Sequence, residues 1–376
     1  MRPGWGLLGL LAAGLLGLRL AAYALIDGRA AALAHDLCRW DCLWYVHTAM
    51  AGYDRAPIIS TFDYSMANWA FLPLYPLLMR GLIAAGLGGA AAGFLLANLC
   101  LLGFMLLGYA YLARLRERPD PLLFFGFLLA FPYGFYLSLP YTESLYALLA
   151  TGALLALRRG RNGMAACLIS LLGVTRVTGI VLLPALAWRL CTPAWRQLRR
   201  GQARQAALTA ADALLPLGIA ALGLSLFMAY LYLHVGDALG FLHIQAGWQR
   251  HFQDPFYILA KGLMALGMPG FSLAERLHSA GLALAACLGL AVAVWTARRG
   301  QGMEAWFLAA TVLLAASSSL VSLQRYTLAN PVFLLSLFRF LSEGGRRRYL
   351  PWFTLACIPA QYWFLRHWLA NGADLV

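Results

Sequence analysis

The sequence predicts an all-α, polytopic membrane protein, and three observations predict it. Hydrophobic residues make up 62% of the 376-residue chain and charged residues 12%, where a soluble domain carries about 25% charge. Apolar runs of about twenty residues, each enough to cross a bilayer as a helix, recur from end to end. No polar stretch between them is long enough for a soluble domain. Residues 1–376 therefore read as one integral membrane unit.

The formal net charge of +14 does not indicate a nucleic-acid partner, because the basic residues sort by side. Arg114, Arg116 and Arg118, Arg158, Arg159 and Arg161, the run Arg189–Arg204, Arg298 and Arg299, and Arg346–Arg348 fall in turns on one side of the spans. That excess marks the cytoplasmic face. The acids lean the other way: Asp27, Asp36, Asp41, Asp54, Asp63, Glu143, Asp237, Asp254, Glu275 and Asp374 fall outside. Any chemistry is expected on the outer face, which in a bacterium is the periplasmic face of the inner membrane.

Taken in order, residues 5–26 form a first span, running outward. Its apolar core is too long for a cleaved signal peptide. Residues 27–68 form an outer loop, long by loop standards and so a place for function, with a helix expected over 36–51. Residues 69–88 are apolar but broken by Pro73 and Pro76. Counting them as a span would invert every later loop, so they are expected to be re-entrant or to lie along the outer face, backed by protein. Spans follow at 91–113, 121–139 and 143–157, then a hairpin of 163–175 and 177–190. The most basic inner loop is 191–205, and 207–233 is a long span. Residues 234–278 form an outer loop and interfacial helix, since 256–277 is too polar to cross. The remaining spans are 279–297, 303–321, 326–341 and 350–369, giving about 11 in all.

Most of the seven cysteines sit in apolar runs and read as small core residues. Cys38 and Cys42, four apart, suit neither a zinc site nor a redox pair, and no disulfide is expected between them. His243, Gln245, Trp248, Arg250 and His251 form a polar and aromatic cluster, without a metal-ligand pattern. His47 is expected to pack or hydrogen-bond.

The stretch 36–53 concentrates charge and aromatic rings in a chain that otherwise avoids charge. Asp41 follows Arg39 and Trp40, with Trp44 and Tyr45 one helical turn on, on the same face. Burial raises a carboxyl pKa and a nearby Arg lowers it, a balance that suits a general base for a sugar hydroxyl. Capping a helix or pairing with Arg39 is the other role open to Asp41. Trp44 and Tyr45 offer rings for a sugar face. Glu143 stands at an outer span end, either as a helix-start acid or as a hydroxyl ligand. Arg176 and Arg325 break the charge rule. They are read either as phosphate ligands through the guanidinium fork or as snorkelling anchors. Nucleotide-binding loops are missing, so an enzyme working outside needs a donor activated within the membrane.

Arg39-Trp40-Asp41-x-x-Trp44-Tyr45 followed by Gly52-Tyr53 resembles the signature of the PIG-V mannosyltransferases, the family of the second mannosyltransferase of glycosylphosphatidylinositol assembly and its prokaryotic relatives. Phe71-Leu72-Pro73-Leu74-Tyr75-Pro76, Tyr141-Thr142-Glu143-Ser144, Thr175-Arg176-Val177-Thr178-Gly179 and Gln324-Arg325-Tyr326 resemble further family segments, in order. Cys42 stands where Gly is usual, and Gln324 where Pro is usual. The resemblance spans about residues 39–331 and implies a GT-C glycosyltransferase that takes a sugar, mannose by analogy, from a polyprenyl-phosphate donor. On it Asp41 is the base, Arg176 and Arg325 stabilise the phosphate, and Arg39, Trp44, Tyr45, Tyr75, Glu143 and Tyr326 bind sugar or acceptor. The scheme requires no metal or other cofactor; membrane lipids surround the enzyme and the acceptor is unspecified. The competing readings are a non-catalytic transporter or flippase of an anionic lipid or polyprenyl-phosphate carrier, and a scaffold subunit of an envelope-assembly complex.

Overall fold

The structure, a computed structural model, describes residues 4–59, 65–115 and 119–372. The expectations placed on Asp63, Arg116, Arg118 and Asp374 fall outside these residues. Among the described residues the chain is helical except for one short antiparallel pairing, Ile58–Ile59 with Ser65–Met66. Among these residues five helices are long and apolar enough to cross a membrane: Trp5–Asp27, Gly89–Arg114, Val177–Arg199, Ala203–Val235 and Leu273–Arg298. A bent pair, Pro121–Ala130 and Pro132–Ser138, makes a sixth if the two count as one span. The other segments expected to cross are shorter helices, so the structure supports a polytopic all-α membrane protein without fixing eleven crossings.

The centre of the fold is Glu143–Arg158, buried along nearly its whole length. It packs between Gly89–Arg114 and Asn162–Gly173. Lipid tails are as apolar as leucine, so helices here associate through close packing and hydrogen bonds rather than by escaping water. Gly93 lets Gly89–Arg114 lie against Met79 and Pro140, which a Cβ would touch at 3.2 and 3.0 Å.

The segment 121–139, expected as one straight span, turns by 86° at Pro132, because proline gives no N–H to continue the helix. The carbonyls this releases are satisfied inside the protein, as they must be at membrane depth. Gln361 donates to Leu129 O at 2.8 Å and Phe131 O at 2.9 Å, and Arg19 to Gly134 O at 2.8 Å.

Other boundaries also differ from expectation. The basic segment 191–205, expected as a loop, is mostly helical: Leu182–Arg199 runs into it with Pro193 inside the helix, and after a short turn Ala203–Val235 begins. The helix expected from 279 starts at Leu273, on a capping box between Ser272 and Glu275. Residues 326–341 divide into Leu323–Leu328 and Pro331–Ser342, with Asn330 capping the second through Val332 N. Within 69–88, Leu74–Ala84 is an 11-residue helix, about 16 Å long.

The helix expected over 36–51 is broken. Leu33–Leu37 ends, Cys38, Arg39 and Trp40 turn the chain, and Asp41–Ala51 begins. Trp40 takes φ 52°, a conformation bulky side chains seldom adopt. Cys38 and Cys42 form a disulfide, against expectation. The break brings the two thiols together across the turn, a geometry that spacing on a continuous helix does not reveal.

Candidate active site

Asp41 is the first residue of its helix, where the partial positive charge of the helix start favours an anion. Its Oδ2 accepts from Arg325 Nη2 at 3.0 Å. Arg325 comes from the far end of the chain, on the short helix Leu323–Leu328, entered through Ser322 at φ 63°. Its guanidinium lies over the rings of Tyr141 (4.7 Å) and Tyr136 (5.5 Å). Its Nε and Nη2 also donate to Glu143 Oε1 at 3.0 and 2.8 Å.

Arg176 reaches the same Glu143 oxygen at 2.8 Å. Its extended backbone (φ −149°, ψ 140°) starts the turn Val177–Val181. That turn closes tightly on the preceding helix, since a Cβ on Gly179 would overlap the Leu172 carbonyl; only glycine fits. Arg176 lies 4.2 Å from the Tyr326 ring centroid. Glu143, with its side chain 2% exposed, therefore ties together two guanidinium groups, one of which holds Asp41. A carboxylate this deep is tolerable only because the charges are paired.

These groups border a cavity of about 480 Å3. Asp41, Tyr45, Arg176, Arg325 and Tyr326 line it, with Phe71, Gln245, Trp248 and Arg250 among the other wall residues. The Asp41 side chain is 27% exposed, so the carboxylate is anchored by one oxygen and open to the cavity.

A family model described as Mannosyltransferase (PIG-V) matches residues 11–240, more than half of the chain. The chain belongs to the PIG-V mannosyltransferase family. Among curated proteins none matches it. The matched span holds Asp41, Glu143 and Arg176, while Arg325, Tyr326 and Arg250 lie beyond it.

The remaining residues singled out in this PIG-V family member take other places. Glu143 sits behind the two arginines, not on the cavity wall. Tyr75 is fully buried, donates to Gly93 O at 2.8 Å and meets the Tyr45 ring edge-on at 5.1 Å. Trp44 stacks on Phe71 and meets Trp248 edge-on, each at 5.7 Å, so it backs two wall residues. Arg39 faces away: it donates to Asn371 Oδ1 at 2.7 Å and Leu369 O at 2.9 Å, while its carbonyl accepts from Tyr141 OH at 2.9 Å. Arg39 thus clamps the active-site turn to the last helix, Leu350–Leu369.

His47 hydrogen-bonds Asp54 at 2.9 Å. His243 finds a carboxylate the sequence did not connect to it, Asp237, at 2.7 Å. Asp237 lies in the turn after Ala203–Val235, and this hydrogen bond holds its carboxyl below the ordinary aspartate range. Among the described residues no group of three or more His, Cys, Asp or Glu is placed to hold a metal ion.

Proposed function

We propose that this membrane protein is an inverting glycosyltransferase. It transfers a hexose, mannose by family membership, from a polyprenyl-phosphate donor to an acceptor hydroxyl on the outer, periplasmic face. The observation that carries the reading is the Asp41 carboxylate, fixed by Arg325 at one oxygen and bordering a cavity. Its free oxygen takes the proton as the acceptor O–H bond breaks. The acceptor oxygen bonds to the anomeric carbon from the face opposite the phosphate, inverting it, while the carbon–phosphate-oxygen bond breaks and its electron pair leaves on the lipid phosphate. Arg176 and Arg325 stabilise that growing charge through a field fixed before reaction. Ala70, Phe71 and Leu72, from the segment expected to be re-entrant, supply part of the cavity wall.

The test is purified protein with radiolabelled polyprenyl-phosphate mannose and a crude lipid-acceptor fraction. Transfer lost in Asp41→Asn and kept in Asp212→Asn, an exposed carboxylate on Ala203–Val235, supports the reading. Lipid movement across a bilayer without sugar turnover would replace it with the transporter reading.

A further inference from the structure

Three guanidinium groups border the cavity, and two of them are already committed. Arg325 is bonded to Asp41 and Glu143, and Arg176 to Glu143. Their side chains are 3% and 10% exposed. The third, Arg250, stands on the wall contributed by residues 242–252. Among the described residues no carboxylate lies within ion-pair distance of it; its Nη2 meets Ser322 Oγ at 3.4 Å. With Asp41 on the wall and Glu143 behind it ionised, two negative charges stand against three positive among the described residues, leaving one cation unmatched.

The chain holds Arg250 there by local structure. The turn Ile244–Trp248 ends at Gln249 with φ 55°. Arg250 N then donates back to Gln245 O at 3.2 Å, and Gln253 N to Ser317 O at 2.7 Å. The segment is thereby tied at both ends. A glutamine at positive φ carries strain that surrounding contacts must offset, and here the result is a cation facing the cavity.

Apolar groups continue outward from the same segment. Phe252, 86% exposed, and Leu242 line the cavity, and Phe256 and Tyr257 follow as exposed rings on Pro255–Met264. A single unmatched cation beside an apolar rim fits a single negative charge attached to a hydrocarbon chain.

We propose that Arg250 is the charge partner of the donor's lipid phosphate on binding, and that it selects phosphate-bearing isoprenoids over neutral ones. This deepens the glycosyltransferase reading and rests on it. A polyprenyl-phosphate sugar is a phosphodiester with one negative charge, which Arg250 matches before reaction. The second charge, released when the sugar leaves, falls to the field of Arg176 and Arg325. A charge-assisted hydrogen bond to an ionised oxygen is the strong kind.

The experiment measures binding to the full chain in nanodiscs of zwitterionic lipid, with three probes: undecaprenyl monophosphate, undecaprenol and inorganic phosphate. Wild type is expected to bind the monophosphate in preference to both other probes. Arg250→Gln is expected to weaken that binding about tenfold or more, the range for a lost bond to a charged group, without changing retention of undecaprenol. Arg250→Lys, which keeps the charge but not the fork, is expected to recover part of the loss and so shows that the site still folds. Monophosphate binding in Arg250→Gln equal to wild type overturns the role of Arg250 and leaves the glycosyltransferase reading intact. Inorganic phosphate binding as tightly as the lipid overturns selection of a lipid phosphate. A wild type that binds none of the three overturns both readings.

Discussion

Arg325 and Asp41 lie 284 positions apart in the chain and meet at 3.0 Å. Asp41, the base in the proposed reaction, is therefore not a free aspartate but one arm of a charge network, Asp41–Arg325–Glu143–Arg176. Its members divide into a solvent-accessible working end and a buried structural end, and substitutions at the two ends have different consequences.

At the working end, Asp41→Asn keeps the size and a hydrogen-bonding atom for Arg325 but cannot take a proton. Transfer is expected to fall about 10²- to 10⁴-fold, the range for a positioned general base. Initial rates with labelled donor, together with an unfolding midpoint close to wild type in detergent, check this.

At the buried end, Glu143→Gln leaves Arg176 and Arg325 facing each other without the shared anion. Removing one partner from a buried ion pair costs about 3–5 kcal/mol. A clear drop in thermal stability is expected, larger than for Asp41→Asn, whose side chain is partly solvated. Equal midpoints for the two variants would contradict the division.

The Cys38–Cys42 bridge closes a five-residue loop around the Trp40 turn. Chain-entropy reasoning gives such a loop about 2 kcal/mol. Of seven cysteines, five are free, so alkylation of unfolded protein is expected to label five thiols before reduction and seven after. Cys38→Ser with Cys42→Ser is expected to slow transfer more than it lowers the melting midpoint, because the freed turn carries Asp41.

The Asp237–His243 pair makes a pH prediction for the turn after Ala203–Val235. The Asp237 carboxyl is depressed below its ordinary value of 3.8 by the hydrogen bond from His243. Its contribution is therefore present above pH 3.8 and lost as pH falls through the lower folded value. Amide exchange in residues 239–248 is expected to quicken on acidification below that point in wild type. In Asp237→Asn that acid-dependent step is expected to be missing.

Much of this site was legible in the sequence because charge is expensive in a membrane chain. Asp41, Arg176 and Arg325 stood out as ionisable groups at span ends, and they meet around one cavity. What sequence alone missed was direction. Arg39 and Asp41 are two residues apart, yet the positive φ of Trp40 sends one side chain to the last helix and the other to the cavity. Glu143, read as a helix-start acid or a ligand, and Tyr75, given a ligand role by the family resemblance, are buried against partners 33 and 18 residues away. Arg250 was noticed only within a cluster judged for metal binding; that Arg176 and Arg325 share one carboxylate could not be known before their side chains were placed. The straight run read over 121–139 bends by 86° at Pro132, since hydropathy registers composition and not bending.

The joining of residues 39 and 41 to residues 325 and 369–371 also sets when the site can exist. A ribosome adding roughly 5–20 residues per second needs on the order of 15–60 seconds between making Asp41 and making the arginine that steadies it. Throughout that interval the nascent chain carries the carboxylate but not its partner or the clamp behind its turn. Both contacts arrive late, with the final helices. A half-made polypeptide therefore holds the Asp41 carboxylate without the guanidinium that fixes it.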